Sequence, residues 1–249
     1  LSGAEHKPWT SNAYWNHPAI GGDGSLHLSF VWRTGTLGEQ QLVNNINIGY
    51  AWSPDNGLNW FTAHGRPCGL PMTQVNAEVV WAVPPGSNLI NQTSMALDSH
   101  NRPHIVFYAN DAQGVPQYQH LWFDGHTWQH ECVLHRSAPF DLRGGGTLQT
   151  PISRPEVLVD QHDMAYLIVR GDLTGDEMSI VRLEPGQAGQ GPVPLWPTPL
   201  GFAEPIIDRT RWAQDQTLTL LVQRTQQPDG DRAVEAQFDK AWLIDIRLH

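Results

Sequence analysis

A single pattern that returns four times constrains this chain more than any other feature. Each copy has a small or apolar strand, an Asp at a turn, and an apolar-rich strand ending in polar residues. It reads HPAIGGDGSLHLSFVWR at 17–33, SMALDSHNRPHIVFY at 94–108, RPEVLVDQHDMAYLIVR at 154–170 and, more loosely, EPIIDRTRWAQDQTLTLLVQR at 204–224. The turn acids are Asp23, Asp98, Asp160 and Asp208, a period of about 50–75 residues. Compact repeats of this kind run to ~40–50 residues, so insertions account for the excess.

Each hairpin is followed by a third strand: NINIGYAWS, PQYQHLWFD, EMSIVRLEP and VEAQFDKAWLIDIRL. A fourth follows in places, as WFTAHG from Trp60 or TWQHECVL before His135. Four antiparallel strands per repeat, arranged radially, make the expected fold an all-β β-propeller. Four blades are expected near 9–66, 88–136, 150–200 and 201–249, the last without its outer strand. An open arc leaves two bare sheet edges, an aggregation hazard. Either the four blades close as a small ring, or an N-terminal segment or a second chain supplies missing blades, of which the missing segment is the expectation. Composition agrees, with 23 glycines and 19 prolines to punctuate turns and only 16% charged residues.

The formal net charge of −10 argues against a nucleic-acid partner, whose phosphates it would repel. No apolar run approaches a membrane span, so no membrane partner is expected. Leu1–His6 has neither the basic region nor the apolar core of a secretory leader. Thirteen of the fifteen basic residues are arginines, Lys7 and Lys240 being the exceptions. Arginine forks suit carboxylate and sulfate groups, so local anion recognition survives the acidic total. Cys68 and Cys132 are too few to define a disulfide framework. His64 with Cys68, and His130 with Cys132 and His135, match no zinc spacing. No metal site or cofactor is expected, although a structural metal ion stays open.

SPDNGLNW at 53–60 presents an acid, a serine, a glycine and a tryptophan between the third and fourth strands of the first repeat. Asp55 is suited to accept the turn's N–H groups, Gly57 to supply a positive φ, and Trp60 to pack between blades. This is the S-x-D-x-G-x-T-W pattern of the Asp-box, with Asn59 in the Thr position. A worn copy, FDGHTW at 123–128, sits at the matching turn of the next repeat. A motif repeated at a repeated turn is structural. In a meandering blade the first-to-second and third-to-fourth turns share a face, so the chemistry belongs on the opposite face.

On that face the inner strands begin and the second strands end. The inner strands begin at Asn12, Tyr14, Trp15, Asn16 and His17, at Asn91 and Gln92, at Ser153 and Arg154, and at Glu204. The second strands end at Trp32 and Arg33, Tyr108 and Asn110, Arg170 and Asp172, and Gln223 and Arg224. This ring of polar and aromatic groups around a channel is the candidate site.

Here the residues become family-like. NAYWNHPAI, DGSLHLSFVWR, NINIGYAWSPDNGLNW, LPMT, NLINQTSMALDSHNRPHIVFY, RGGGTLQTPISRP and EPIIDRTRW, in that order, resemble the BNR-repeat propellers that include ulvan lyases. The resemblance covers most of the chain but matches only the later four blades of a generally seven-bladed fold. It implies β-elimination on an acidic, uronate-containing and sulfated polysaccharide, and a secreted or periplasmic location. It also implies that Tyr14 matches a site tyrosine. The histidines and the Tyr–Arg pair usual in earlier blades have no counterpart in these residues.

β-Elimination removes the C5 proton of a uronic acid and expels the 4-linked oxygen. It needs donors on the carboxylate, a base near C5 and an acid for the leaving oxygen. The expected catalytic residues are Arg33 on the carboxylate, His17 as base and Tyr14 as acid. Expected substrate contacts are Asn12, Asn91 and Gln92 for hydroxyls, Arg143 and Arg154 for sulfate or a second carboxylate, and Trp15 and Trp32 (with Trp9) for stacking. Glu204 joins them as a possible hydrolytic acid paired with Asp172 or Glu78. The alternatives are a glycoside hydrolase on the same scaffold and a non-catalytic glycan-binding propeller.

Overall fold

The computed structural model describes residues 12–37, 39, 42–91, 93–184, 191–230, 232–233, 235 and 239–248. Its strands form four antiparallel sheets, the blades of a β-propeller arc. In the first, β1 (Asn12–Trp15) and β2 (Ala19–Ile20) both pair with β3 (Leu26–Leu37), forming one inner strand interrupted at Asn16–Pro18. β4 (Leu42–Ser53) and β5 (Val79–Trp81) complete it. The second blade is β6 (Ser94–Leu97), β7 (Pro103–Asn110), β8 (Pro116–Phe123) and β9 (Trp128–Leu134). The third is β10 (Glu156–Val159), β11 (Ala165–Arg170), β12 (Met178–Leu183) and β13 (Val193–Trp196). In the fourth, β14 (Ile206–Ile207) pairs with β15 (Thr217–Val222) and that with β16 (Trp242–Arg247). No outer strand follows among the described residues.

Central blades are covered on both faces, which is why β7 is buried from Pro103 to Ala109 rather than alternating. One core gathers side chains of the first three blades, including Val31, Tyr50, Phe107, Leu121, Val157 and Leu167. A second joins the third and fourth blades through Leu158, Ile168, Met178, Leu218 and Leu220. Val157 and Leu158 thus face opposite neighbours, as strand alternation requires. At Gly49 a Cβ would fall 2.2 Å from the Phe30 ring, so only glycine lets β4 pass that ring.

The repeated Asp works as a turn acid. Asp98 Oδ1 accepts from the amides of His100 and Arg102, at 2.9 and 2.8 Å. Asp160 Oδ1 accepts in the same way from His162 and Met164, at 2.8 and 2.9 Å. Arg102 also reaches the Asp124 carbonyl at 3.2 Å, which puts the first-to-second and third-to-fourth turns of that blade on one face.

The Asp-box is consumed by its own turn. Asp55 accepts from the Asn59 amide (2.8 Å) and Nδ2 (2.6 Å) and from Ser53 Oγ (2.9 Å), and Gly57 has φ 86°. Trp60 does not pack between blades as expected. It donates to the Gly57 carbonyl at 2.9 Å and folds back over its own turn. Trp128 of the worn copy takes the interblade place, edge-on to Tyr50 with ring centroids 5.5 Å apart.

Two further expectations are corrected. The outer strand of the first blade is not WFTAHG but β5, beyond the expected boundary at 66. Phe61 bridges back to Trp52 and then to Pro67, which ends the hairpin there. Asp208 opens no simple hairpin either. It caps a seven-residue helix, α1 (Arg209–Asp215), accepting from the Arg211 amide at 2.9 Å.

Candidate functional site

Inner strands of the first three blades, with Glu204, Pro205 and α1 of the fourth, line a central groove of about 990 Å³. Asn16, at the break between β1 and β2, is buried and ties the first blade to the second. Its Nδ2 donates to Thr93 Oγ1 at 3.0 Å and also to Ser29 Oγ. Deeper in, Ser94 Oγ donates to Glu156 Oε2 at 2.6 Å. Arg209, the first residue of α1, reaches across to the same carboxylate. It also donates to Ser94 Oγ (2.7 Å) and to the carbonyls of Met95 (3.4 Å) and Val157 (3.3 Å). One guanidinium of the fourth blade thus closes backbone and side-chain groups of the second and third.

Trp15 and His17 reach the groove from the first blade, on either side of the buried Asn16. Trp15 is 54% exposed, so its ring is open to a ligand. Arg154 and Glu204 line it from the third and fourth blades, their side chains 3.6 Å apart. Glu204 also accepts from the Arg154 amide at 2.8 Å. Burial nevertheless raises the Glu204 carboxyl above the usual carboxylate range, against the pull of Arg154 and Arg170. A carboxyl poised in this way can hold and deliver a proton.

Tyr14 and Arg33 do not line this groove; they meet within the first blade, one residue before Trp15, through the register that pairs Asn12 with Arg33. Arg33 Nη1 donates to the Tyr14 hydroxyl at 3.3 Å, and the guanidinium lies 4.5 Å from the Tyr14 ring centre. Its Nε donates to Asn45 Oδ1 at 2.9 Å, and Asn45 Nδ2 donates to the Leu89 carbonyl at 2.7 Å. Because the Tyr14 oxygen accepts from Arg33, its own O–H is directed elsewhere. Asn12 is exposed at the start of β1, and Asn91 is half-buried just beyond Leu89. Arg143 stands on the loop that bridges to Leu42 and is paired with Asp141. Gln92 and Trp9 lie outside the described residues.

Trp32 is no stacking platform. It is 1% exposed and packs edge-on against Phe30, with centroids 5.7 Å apart. The ends of the second and third blades' inner hairpins are structural as well. Tyr108 is buried, Arg170 donates to the Ala203 and Pro151 carbonyls, and Asp172 is gripped by Arg136 at 2.6 Å. Glu78 accepts from the Ala63 amide in the outer part of the first blade, so neither Asp172 nor Glu78 partners Glu204. The acid that shares its groove is Glu156, which sequence reasoning passed over together with Arg209. Glu156 stood two residues beyond the noted Arg154, and Asp208 followed by Arg-Thr-Arg-Trp was a readable helix cap.

Both cysteines are free thiols. Cys132 Sγ lies 3.7 Å from His135 Nδ1, but His130 turns away to stack on Trp81. Among the described residues Asp98, His100 and Asp163 bring ligand atoms within 4.8 Å of one another, on the turn face. The Asp98 oxygens are already taken by Arg102 and two amides, and Asp163 by Ser99, so the group reads as a junction between turns.

No curated protein matches the sequence. Among solved structures the chain is similar to an ulvan lyase of polysaccharide lyase family PL25, with TM-score 0.51 and 16% identity over 74% of this chain and 42% of that one. The same figures hold for an ulvan lyase of that family bound to -[GlcA(1-4)Rha3S]-. A Dyadobacter fermentans protein of unknown function gives TM-score 0.47 and 17% identity, over 84% of this chain and 56% of that one. The chain therefore spans less than half the length of the ulvan lyases it matches, and at this identity the likeness concerns the propeller fold. The profile of the BNR repeat-containing family matches residues 3–136, more than half of the sequence. The chain belongs to the BNR repeat-containing family.

Proposed function

We propose that this chain is the later part of a secreted or periplasmic propeller that cleaves uronate-containing, sulfated polysaccharides by β-elimination. The observation that carries this reading is the Tyr14–Arg33 pair on the strand run whose Trp15 and His17 line the groove. The guanidinium has five N–H donors, and Tyr14 and Asn45 take one each. The others serve the uronate carboxylate, drawing off charge as the C5 proton leaves. His17, exposed and on the same strand run, takes that proton. The Tyr14 O–H supplies one to the departing 4-linked oxygen. Trp15 stacks on a sugar ring, and Asn12 and Asn91 hold hydroxyls. A preceding segment or second chain would complete the ring and supply the remaining blades.

One observation favours a second reading, glycoside hydrolysis. Glu204 has a raised pKa and shares the groove with Glu156, which is held by Arg209 and Ser94. Two carboxyls in one groove suit an acid and its partner. The test is incubation with uronate polymers while recording the ultraviolet absorbance of unsaturated uronate. The lyase reading expects a rise that Arg33→Ala abolishes with little change in thermal midpoint. New reducing ends without absorbance, lost in Glu204→Gln, would establish the hydrolase instead.

A further inference from the structure

A second concavity, of about 380 Å³, lies away from the central groove, between the outer strand of the third blade and the fourth blade. Its wall is aromatic: Trp196 at the end of β13 and Trp242 at the start of β16, with ring centroids 6.1 Å apart and tilted 37°. Trp242 is 48% exposed. Its register partner is Val222, and it shares a strand face with Ile244 and Ile246, which pack toward the third blade. The pocket is therefore not the open end of the arc, where a further blade would stack.

Its rim is cationic. Lys240 Nζ lies 6.0 Å from the Trp242 ring centre, and Arg224 projects from the end of β15 into the same concavity. Neither side chain has an ion pair or hydrogen bond among the described residues. Asp239, the one acid among the described residues lining it, accepts from the Lys240 amide at 2.7 Å. Gln223 offers an amide beside them, and its Nε2 reaches the Asp239 carbonyl at 3.4 Å. Two cations without a partner among the described residues thus stand together in a chain of net charge −10 with only fifteen basic residues.

We propose that this concavity is a second glycan-binding site, for a pyranose ring bearing a carboxylate or sulfate. The Trp242 indole takes the apolar face of the ring, and Arg224 and Lys240 pair with its anionic oxygens. The size suits a small ligand or one segment of a polymer. Gripping the chain here and in the central groove would raise the effective concentration of substrate at the latter. The choice of acidic glycans as probes rests on the reading of the chain as glycan-directed. The site itself needs no turnover.

The test is equilibrium binding of the intact protein to three probes: unsulfated polyglucuronate, a sulfated neutral galactan, and neutral dextran. Expected is binding to one or both acidic polymers, weakening with salt, and none to dextran. Trp242→Ala, and Arg224→Gln with Lys240→Gln, should each weaken it about tenfold, while Trp242→Phe retains it. Which acidic polymer binds identifies carboxylate or sulfate as the recognised group. Thermal midpoints near wild type show that the variants fold. Unchanged binding in both variants overturns the proposal, as does equal competition by polyglutamate, which would mark an acidic protein surface. Turnover with no effect of these variants sinks this site alone. Binding that they remove, without turnover of any uronate polymer, sustains it and sinks the lyase reading.

Discussion

Two interior histidines make the fold acid-labile in a way that can be read quantitatively. His27 is buried between Ser25 Oγ (2.8 Å) and the Tyr50 hydroxyl (2.6 Å) and stacks on Trp52; burial pushes its pKa down to about 4, with Asp23 pulling weakly the other way. His104 is buried against His120 at 3.0 Å and is pushed down to about 3, by burial first and then by His120 and Arg102, against a weak pull from Asp163. The unfolded chain protonates these rings near 6.5, whereas the native protein resists until about pH 4 and 3. Their stabilisation is therefore complete above pH ~6.5 and is lost as pH falls through that window. Each group contributes about 1.4 kcal/mol per pH unit, and the two together about 2.7. Between pH 6 and 4.5 that is about 4 kcal/mol, a large share of the ~5–15 that holds a domain together. Urea unfolding followed by tryptophan fluorescence at several pH values gives the slope for wild type and for His27→Gln with His104→Gln. The double variant should lose about 2.7 kcal/mol per pH unit of slope, and each single variant about half of that. Lower absolute stability of the variants does not matter, because only the slope is read. Equal slopes would refute the reasoning, showing that water or local opening reaches these rings.

The two tryptophans assigned alike from sequence should behave oppositely. Trp32→Ala should cost about 3–5 kcal/mol of stability, because a buried ring is lost, while Trp15→Ala should stay within about 0.5 kcal/mol and weaken glycan binding instead. Denaturant midpoints and binding isotherms separate them. Arg209→Met removes one donor from each of Glu156, Ser94 and two carbonyls and should cost about 2 kcal/mol, read as a lowered urea midpoint, after allowing for the partial exposure of the pair. Asp55→Ala should lower the thermal midpoint and leave kcat/KM of the folded fraction unchanged. A selective loss of activity would mean that the Asp-box face takes part in catalysis.

The parts legible in the sequence were those written in local chemistry. Asp23, Asp98 and Asp160 announce their turns because the acid and the amides it accepts lie within four residues, and the Asp-box is legible for the same reason. From these followed the sheets and the face on which Tyr14 and Arg33 meet. What escaped depends on packing across the chain. Trp15 and Trp32 look alike in sequence, and only tertiary packing, with Phe30 edge-on against it, hides Trp32. The Arg209–Glu156 pair spans 53 residues and the Arg209–Ser94 bond 115, beyond any motif. The outer strand of the first blade escaped because the chain makes a bridge to Trp52 at Phe61 and leaves it at once, and no residue pattern marks the later return at Val79.

The reach of Arg209 alters how the arc should come apart. In a row of stacked units, stability is a sum of unit and nearest-neighbour terms, so an end unit with one neighbour opens first. Among the described residues the fourth blade has three strands, and with one described neighbour it would be expected to fray alone. Its guanidinium, however, also bonds to Ser94 and Met95 of the second blade, a next-nearest-neighbour coupling. Opening the last blade therefore releases contacts in two others at once. Amide protons of β15 should accordingly exchange together with those of β6 and β10, as one cooperative block rather than as a loose end.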